Sequence, residues 1–122
     1  MDSNTSIQDI KNYVQKFCED RDWDQFHSAK DLAIGIITEA SEVLEHFRFK
    51  SKQEEDIFFK DPKKREDISD EMADVLYFLT RMAQLYDIDL SEAFKKKMAK
   101  SEKKYPVALS KGSNKKYTEF EE

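Results

Sequence analysis

Apolar residues recur at steps of three and four along most of the chain, which is the period of an amphipathic α-helix. In the first such segment, Ile7, Val14 and Phe17 share one stripe behind Ser6, a residue type favoured at the N-cap of a helix. This pattern predicts a helix over residues 6–20. A second serine cap and a longer stripe predict another helix over about residues 28–49.

Two further helices are predicted from cap signals near the middle of the chain. Ser51 and Glu54 have the spacing of a capping box, which predicts a short and mostly charged helix ending near residue 60. Asp61 followed by Pro62 is a favoured helix start, because proline suits the first helical position. The apolar stripe that follows extends this helix to about residue 87.

The last predicted helix runs from about residue 89 to residue 104, where Pro106 prevents its continuation. Residues 105–122 then form a tail that is first basic and afterwards acidic. We therefore expect a helical domain over residues 1–104 and a separate C-terminal tail over residues 105–122. The fold class expected is all-α.

Composition adds an expectation about assembly. Hydrophobic residues make up 39% of the chain and charged residues also 39%, against typical values of about 45–50% and about 25%. This apolar content is thin for a chain of 122 residues, so a partner subunit is expected to complete the core. Only two glycines and two prolines occur, which excludes an all-β fold or a glycine-loop nucleotide fold.

Charge and cysteine content restrict the function classes. A net charge of −5 is wrong for a protein that coats a nucleic-acid backbone, although it permits a phosphorylated small molecule held through a metal. The single cysteine and the absence of a leader-like N-terminal pattern predict a cytoplasmic location. The longest apolar run, residues 32–37, is far shorter than the roughly 20 residues of a membrane span.

Two pairs of acidic residues are the candidate chemistry. Glu39 and Glu42 are three residues apart in one long helix, and Glu71 and Asp74 have the same spacing in the other. At this spacing the two members of a pair lie about 60° apart around the helix. Both pairs border the apolar stripe of their helix, so packing of the two stripes would make the four carboxylates converge.

Four converging carboxylates repel one another unless a cation neutralises them. An all-oxygen donor set suits Mg²⁺ or Mn²⁺, and Mg²⁺ readily takes phosphate oxygens as further ligands, which implies a phosphorylated substrate. Two other readings remain at this point. Each pair alone could be an ordinary solvated helix face. The second alternative is a di-iron bundle, which would need Glu-x-x-His pairs, but no histidine lies near Glu71 in the sequence.

Several motifs occur in a fixed order around these acidic pairs. They are Trp23-x-x-Phe26-His27-x-x-Lys30-x-Leu32, Glu39-x-x-Glu42, Glu71-x-x-Asp74-Val75-Leu76, Lys104-Tyr105-Pro106 and Ser113-Asn114-Lys115-Lys116-Tyr117. Together they resemble the MazG-like nucleotide pyrophosphohydrolases, most of all the short dCTP-pyrophosphatase branch. The resemblance covers roughly residues 5–118.

The resemblance implies a four-helix bundle completed by oligomerisation, as a homodimer or a dimer of dimers. It also implies a Mg²⁺-dependent enzyme, with Mn²⁺ as a substitute, that converts dCTP or a related dNTP to the monophosphate and pyrophosphate. Such an activity clears unwanted nucleotides from the cellular pool. The alternative is a helical-bundle interaction module that has lost turnover.

The resemblance also implies roles for individual residues. The catalytic and metal-binding residues are Glu39, Glu42, Glu71 and Asp74. The substrate-binding residues include an aromatic and histidine set for the base and sugar, lysines for the phosphates, and a tail that covers the site from the same or a neighbouring subunit. They are Trp23, Phe26, His27, Lys30, Asp31, Phe78, Ser101, Tyr105, Lys111, Lys115, Lys116 and Tyr117. Asp31, Phe78 and Ser101 depart from the residue types common in the family.

Overall fold

The computed structural model describes residues 1–120, and every regular element in this range is helical, as predicted. The α-helices are α1 (Ile7–Asp20), α2 (Ala29–Glu45), α3 (Lys52–Lys60), α4 (Pro62–Leu85), α5 (Leu90–Lys104) and α6 (Val107–Ser110). Single-turn 3₁₀ helices span Asp2–Asn4, Asp24–Phe26 and Tyr117–Glu119. The last two residues of the predicted tail, Glu121 and Glu122, lie outside the described residues. None of the helices described is long and apolar enough to cross a membrane.

The predicted caps begin the helices. The hydroxyl oxygens of Ser6 and Ser28 each accept the backbone N–H three residues later, and Asp9 and Asp31 accept the cap backbone N–H in return. Asp61 accepts two backbone N–H groups at the start of α4, directly before the proline. These contacts satisfy N–H groups that have no partner within the helix, so each start depends on local chemistry.

The predicted end of the second long helix is wrong. The helix α2 ends at Glu45 rather than near residue 49, and hydrogen-bonded turns follow. Phe49 has a φ of 63°, in the left-handed region that no α-helix contains. In these turns the ring of Phe47 stacks on Phe59 of α3, with ring centroids 5.7 Å apart. The helix α2 therefore ends earlier than its apolar period predicts, and the turns that follow it pack against α3.

The chain divides into two compact units, Met1–Asp87 and Ile88–Glu122. In the first unit α4 is the central helix and packs against α1, α2 and α3. Its small buried apolar core consists of Val14, Cys18, Leu32, Ile68 and Ala83. The predicted division into residues 1–104 and a tail stays a prediction, since α5 groups here with the residues that follow it.

The second unit contains α5, α6 and the described part of the tail. Tyr105 packs edge-on against Tyr117 and Phe120, with centroid distances of 5.9 and 5.8 Å. The ammonium of Lys104 lies 4.7 Å from the centroid of the Tyr117 ring. These ring contacts connect the end of α5 to the last 3₁₀ turn, so the tail folds back on its own helix.

The apolar stripes of α2 and α4 are only partly covered within the first unit. Ile37 and Leu44 of α2 are 69% and 58% exposed, and Met72 of α4 is 58% exposed. Isolated exposed apolar residues are common, but these lie on two helices that pack together. The first unit therefore presents an apolar surface, which we call the α2–α4 face.

Candidate metal and substrate site

The close approach of α2 and α4 depends on a glycine. The ring of Phe78 packs against Gly35 so closely that a Cβ at this position would collide with it. Gly35 is one turn before Glu39, and Phe78 is one turn after Asp74. Because the helices meet here in antiparallel directions, the acidic residues of each face those of the other.

Three of the four predicted carboxylates converge. Each of Glu39, Glu42 and Glu71 offers an oxygen, and these atoms all lie within 4.8 Å of one another. Glu39 and Glu71 are half-buried, whereas Glu42 is exposed. The buried Oε2 atom of Glu39 has no hydrogen-bond partner in the part of the chain that the structure describes. We call these three residues the acidic cluster.

The electrostatics of the acidic cluster reflect this crowding. The adjacent Glu42 carboxylate, with burial, raises the pKa of Glu71 to about 7. Burial, and then Glu42, raises the pKa of Glu39. Like charges and a low-dielectric environment both favour the protonated form of a carboxyl group. The cluster is thus unfavourable in its fully ionised state without a cation.

Asp74, the fourth predicted ligand, is exposed and lies outside the set of oxygens within 4.8 Å of one another. Its charge nevertheless contributes to the raised pKa values of Glu39 and Glu71, so it lies near both. The donor set contains only carboxylate oxygens, and one buried oxygen of Glu39 has no hydrogen-bond partner among the described residues. These properties fit a hard divalent cation such as Mg²⁺ or Mn²⁺.

His46 is a further neighbour of the acidic cluster. Its side chain is only 15% exposed, and its Nε2 atom lies 3.9 Å from Oε1 of Glu71. This distance is too long for a direct hydrogen bond. The sequence signal for this closeness to the acidic cluster is the position of His46 one helical turn after Glu42.

The predicted base and sugar residues begin at the 3₁₀ turn before α2. Trp23 is 39% exposed and packs edge-on against Phe17 and His27, at centroid distances of 5.5 and 6.4 Å. Phe26 is 63% exposed and Lys30 is also exposed. The structure thus brings Trp23 and His27 together and leaves Phe26 and Lys30 on the surface.

Asp31 has a structural partner that the resemblance did not indicate. Its carboxylate accepts hydrogen bonds from the backbone N–H and the hydroxyl of Ser28, at 3.2 and 2.7 Å. These hydrogen bonds hold the pKa of Asp31 below its ordinary value. Asp31 therefore stabilises the start of α2, and a substrate contact by it stays a prediction.

The remaining predicted substrate residues belong to the second unit and are described within it. Ser101 of α5 is half-buried, while Tyr105 and Tyr117 form the edge-on ring pair described above. The side chains of Lys111, Lys115 and Lys116 are exposed. Their contact with phosphates stays a prediction.

Sequence reasoning missed Arg81, whose side chain is 1% exposed. Its guanidinium pairs with Asp24 and donates to Nδ1 of His27 at 3.1 Å and to Oε1 of Gln84 at 2.5 Å. We call these four residues the arginine cluster. The available signal was periodicity, since Arg81 is seven residues after Asp74 and continues the same strip of α4.

Comparison with known proteins agrees with this arrangement. The model of the MazG-like family matches residues 34–120, which include both acidic pairs. The dCTP pyrophosphatase 1 of Mus musculus is 36% identical over 115 residues, covering 94% of this chain and 68% of that protein. The Homo sapiens protein of the same name is 32% identical over the same shares. The chain belongs to the MazG-like family.

A solved structure extends the comparison to the fold. The crystal structure of a pyrophosphatase from Archaeoglobus fulgidus matches with a TM-score of 0.75 and 33% sequence identity. The match covers 81% of this chain and 91% of that one. The all-helical fold is therefore that of a known pyrophosphatase.

Proposed function

We propose that the chain is a Mg²⁺-dependent nucleoside triphosphate pyrophosphohydrolase. It converts dCTP or a related dNTP to the monophosphate and pyrophosphate, and so removes unwanted nucleotides from the pool. The observation that carries this proposal is the acidic cluster, in which a buried oxygen of Glu39 has no partner among residues 1–120. The printed names of the relatives, dCTP pyrophosphatase and pyrophosphatase, support the reaction class.

Glu39, Glu42 and Glu71, with Asp74 beside them, would hold the metal. A bound Mg²⁺, or Mn²⁺ in its place, supplies positive charge against the negative charge of the triphosphate and polarises its oxygens. The close packing of Gly35 against Phe78 supports this role, because it sets the approach of α2 and α4, the helices that carry the carboxylates.

The hydrolysis itself needs a water and a proton acceptor. A carboxylate at the acidic cluster accepts the proton of the water whose oxygen bonds to the α-phosphorus. The bond between the α-phosphorus and the bridging oxygen breaks, and its electron pair leaves on pyrophosphate. Exposed lysines, of which Lys30, Lys115 and Lys116 are the candidates, offset phosphate charge. Trp23 and Phe26 offer aromatic faces for the base.

A product assay tests the proposal. The pure protein is incubated with each dNTP and Mg²⁺, and monophosphate, diphosphate, pyrophosphate and orthophosphate are resolved. We expect monophosphate and pyrophosphate in equal amounts, with the highest kcat/KM for dCTP. Diphosphate with orthophosphate would mean attack at another phosphorus. No turnover with either Mg²⁺ or Mn²⁺ would favour the catalytically inactive interaction module.

The proposal includes self-association, as a homodimer or a dimer of dimers in the cytoplasm. The support is the α2–α4 face, which exposes Ile37, Leu44 and Met72 on two packed helices. A second copy would remove this apolar area from water. Light scattering at micromolar concentration should give the mass of two or four chains.

An interface variant sharpens this test. Ile37→Lys should shift the mass toward that of a single chain, because a lysine charge opposes burial in an apolar contact. Ile57→Lys is the matched control, since Ile57 is 62% exposed and lies on α3. A monomeric wild type, or equal masses for wild type and Ile37→Lys, would contradict the proposed use of the α2–α4 face.

A further inference from the structure

Arg81 holds the 3₁₀ turn before α2 against α4. The guanidinium is 1% exposed, yet three of its nitrogens bond to different side chains, those of Asp24, His27 and Gln84. A buried arginine with this many partners has one orientation, because loss of any partner leaves a buried donor unsatisfied. The atoms that it contacts are therefore fixed as well.

The contact with His27 determines where the imidazole carries its proton. Arginine is protonated at all relevant pH values and its Nε–H can only donate. Nδ1 of His27, 3.1 Å from Arg81 Nε, must therefore offer its lone pair. A neutral imidazole has one N–H group, so the proton is on Nε2.

The Nε2–H group of His27 is available to a ligand. It makes no hydrogen bond with any of residues 1–120, and it is not among their buried unpaired side-chain atoms. Burial and the Arg81 charge lower the pKa of His27, against smaller opposing effects of Asp24 and Asp31. The imidazole consequently stays neutral at neutral pH.

We propose that Arg81 is a positioning residue. It fixes His27, which the family resemblance already assigns to the base and sugar, as an Nε2–H donor to a hydrogen-bond acceptor on the nucleotide base. This inference rests on the proposed function. The partner is the base rather than a phosphate, because a neutral imidazole carries no positive charge to offset phosphate charge. In addition, the ring of Trp23 lies 6.4 Å from that of His27 and offers a flat face of the kind on which bases stack.

The first experiment measures the proton position without activity. The chain contains only two histidines, so a His46→Asn variant assigns the imidazole ¹⁵N signals. In nucleotide-free wild type we expect His27 to show a protonated Nε2 and an unprotonated Nδ1. Arg81→Gln should produce a mixture of tautomers. Arg65→Gln, which changes an exposed arginine of the same helix, should leave the signals unchanged.

The second experiment separates base from phosphate recognition. For Arg81→Gln we expect the KM for dCTP to rise about tenfold with kcat changed less than about twofold, since one hydrogen bond to bound substrate is weakened. The triphosphate of 2-deoxyribose, which has no base, should be hydrolysed with the same KM by wild type and variant. An equal rise in KM for both substrates would overturn the inference.

A pair of His27 variants decides the matter if Arg81→Gln does not fold. His27→Gln retains an N–H donor and should restore most of the affinity for dCTP, whereas His27→Leu should show the full loss. Equal KM values for His27→Leu and wild type would overturn the inference. If the wild type hydrolyses dCTP but its His27 proton is on Nδ1, this inference is overturned and the proposed function is not. A wild type inactive on every triphosphate would overturn the proposed function as well.

Discussion

The acidic cluster and the arginine cluster lie on the same helix in opposite electrostatic states. Glu71 and Arg81 are ten residues apart on α4, or about 15 Å along its axis. The arginine cluster joins its cation to a carboxylate, an imidazole and an amide. The acidic cluster brings three carboxylates together, and one buried oxygen in it has no partner within the described part of the chain.

This difference separates a positioning device from a binding site. A paired buried charge stabilises one arrangement of its neighbours, because breaking the contacts exposes the full cost of desolvation. An unpaired set of like charges lowers stability until a ligand of opposite charge arrives. The two clusters should therefore respond in opposite ways to substitution and to pH, and only the acidic cluster should respond to Mg²⁺.

The largest expected effect is loss of catalysis from the acidic cluster. Glu39→Gln and Asp74→Asn should each lower kcat/KM by about 10³-fold, because each removes a charge that holds the metal. Helical circular dichroism should stay intact, and metal-free Glu39→Gln should unfold no earlier than wild type, since one repulsive charge is gone.

Glu45→Gln is the matched control for these variants. Glu45 is on α2, 61% exposed, and its carboxylate lies 3.5 Å from Arg48 rather than in the acidic cluster. Its activity should equal that of wild type. Wild-type rates in Glu39→Gln or Asp74→Asn would mean that the metal is held elsewhere.

An intermediate effect is expected from the helix contact that lies between the two clusters. Gly35→Ala should reduce the free energy of unfolding by about 1–3 kcal/mol, because its Cβ collides with the Phe78 ring. Activity should fall too, as α2 moves away from α4. Urea unfolding measures the first effect and the dCTP assay the second.

A double variant tests that cause. In a Phe78→Ala background the ring is absent, so adding Gly35→Ala should lower the free energy of unfolding much less than it does in wild type. Equal costs in both backgrounds would mean that the glycine serves another purpose.

The smallest expected effect is on thermal stability, and its sign differs between the clusters. Glu71 has its pKa raised to about 7 from 4.5, so the folded state binds the proton more tightly and stability falls as pH rises through this range. His27 has its pKa lowered, so its contribution rises with pH up to the ordinary value of about 6.5.

Melting temperatures of the metal-free protein between pH 4.5 and pH 8 measure this difference. In wild type, Glu71 should lower the melting temperature by a few degrees as pH rises, and Glu71→Gln should remove this fall. His27 should raise the melting temperature as pH rises, and His27→Gln should remove this rise. Mg²⁺ should stabilise wild type more at pH 8 than at pH 5, because the metal requires ionised carboxylates. A Mg²⁺ effect independent of pH would contradict the assignment of the acidic cluster.

Much of the local architecture could be predicted because its causes lie within a few residues. The caps at Ser6, Ser28 and Asp61 each bond to backbone no more than three residues away. Apolar period and the spacing of the acidic pairs are equally local, and they led to the helices and to the convergence of Glu39, Glu42 and Glu71.

Features that depend on distant residues escaped the same reasoning. The turns after α2 contain Phe47, whose ring stacks on Phe59 of another helix, and the buried Arg81 has a partner 57 residues earlier in the chain. The exposure of Ile37 could not be foreseen either, since periodicity defines an apolar stripe but not which part of it a neighbour covers.

The sequence by itself thus determined the helical class, the helix starts and the residue types of a cation site, through capping and periodicity that act within one or two turns. Only the tertiary structure decided which polar groups meet. It packed Phe78 against Gly35 and directed Arg81 onto His27, and it left an oxygen of Glu39 without a partner among the residues that the structure describes. The physical reason is that pairing and burial depend on contacts between separate helices, whose distances no local pattern contains.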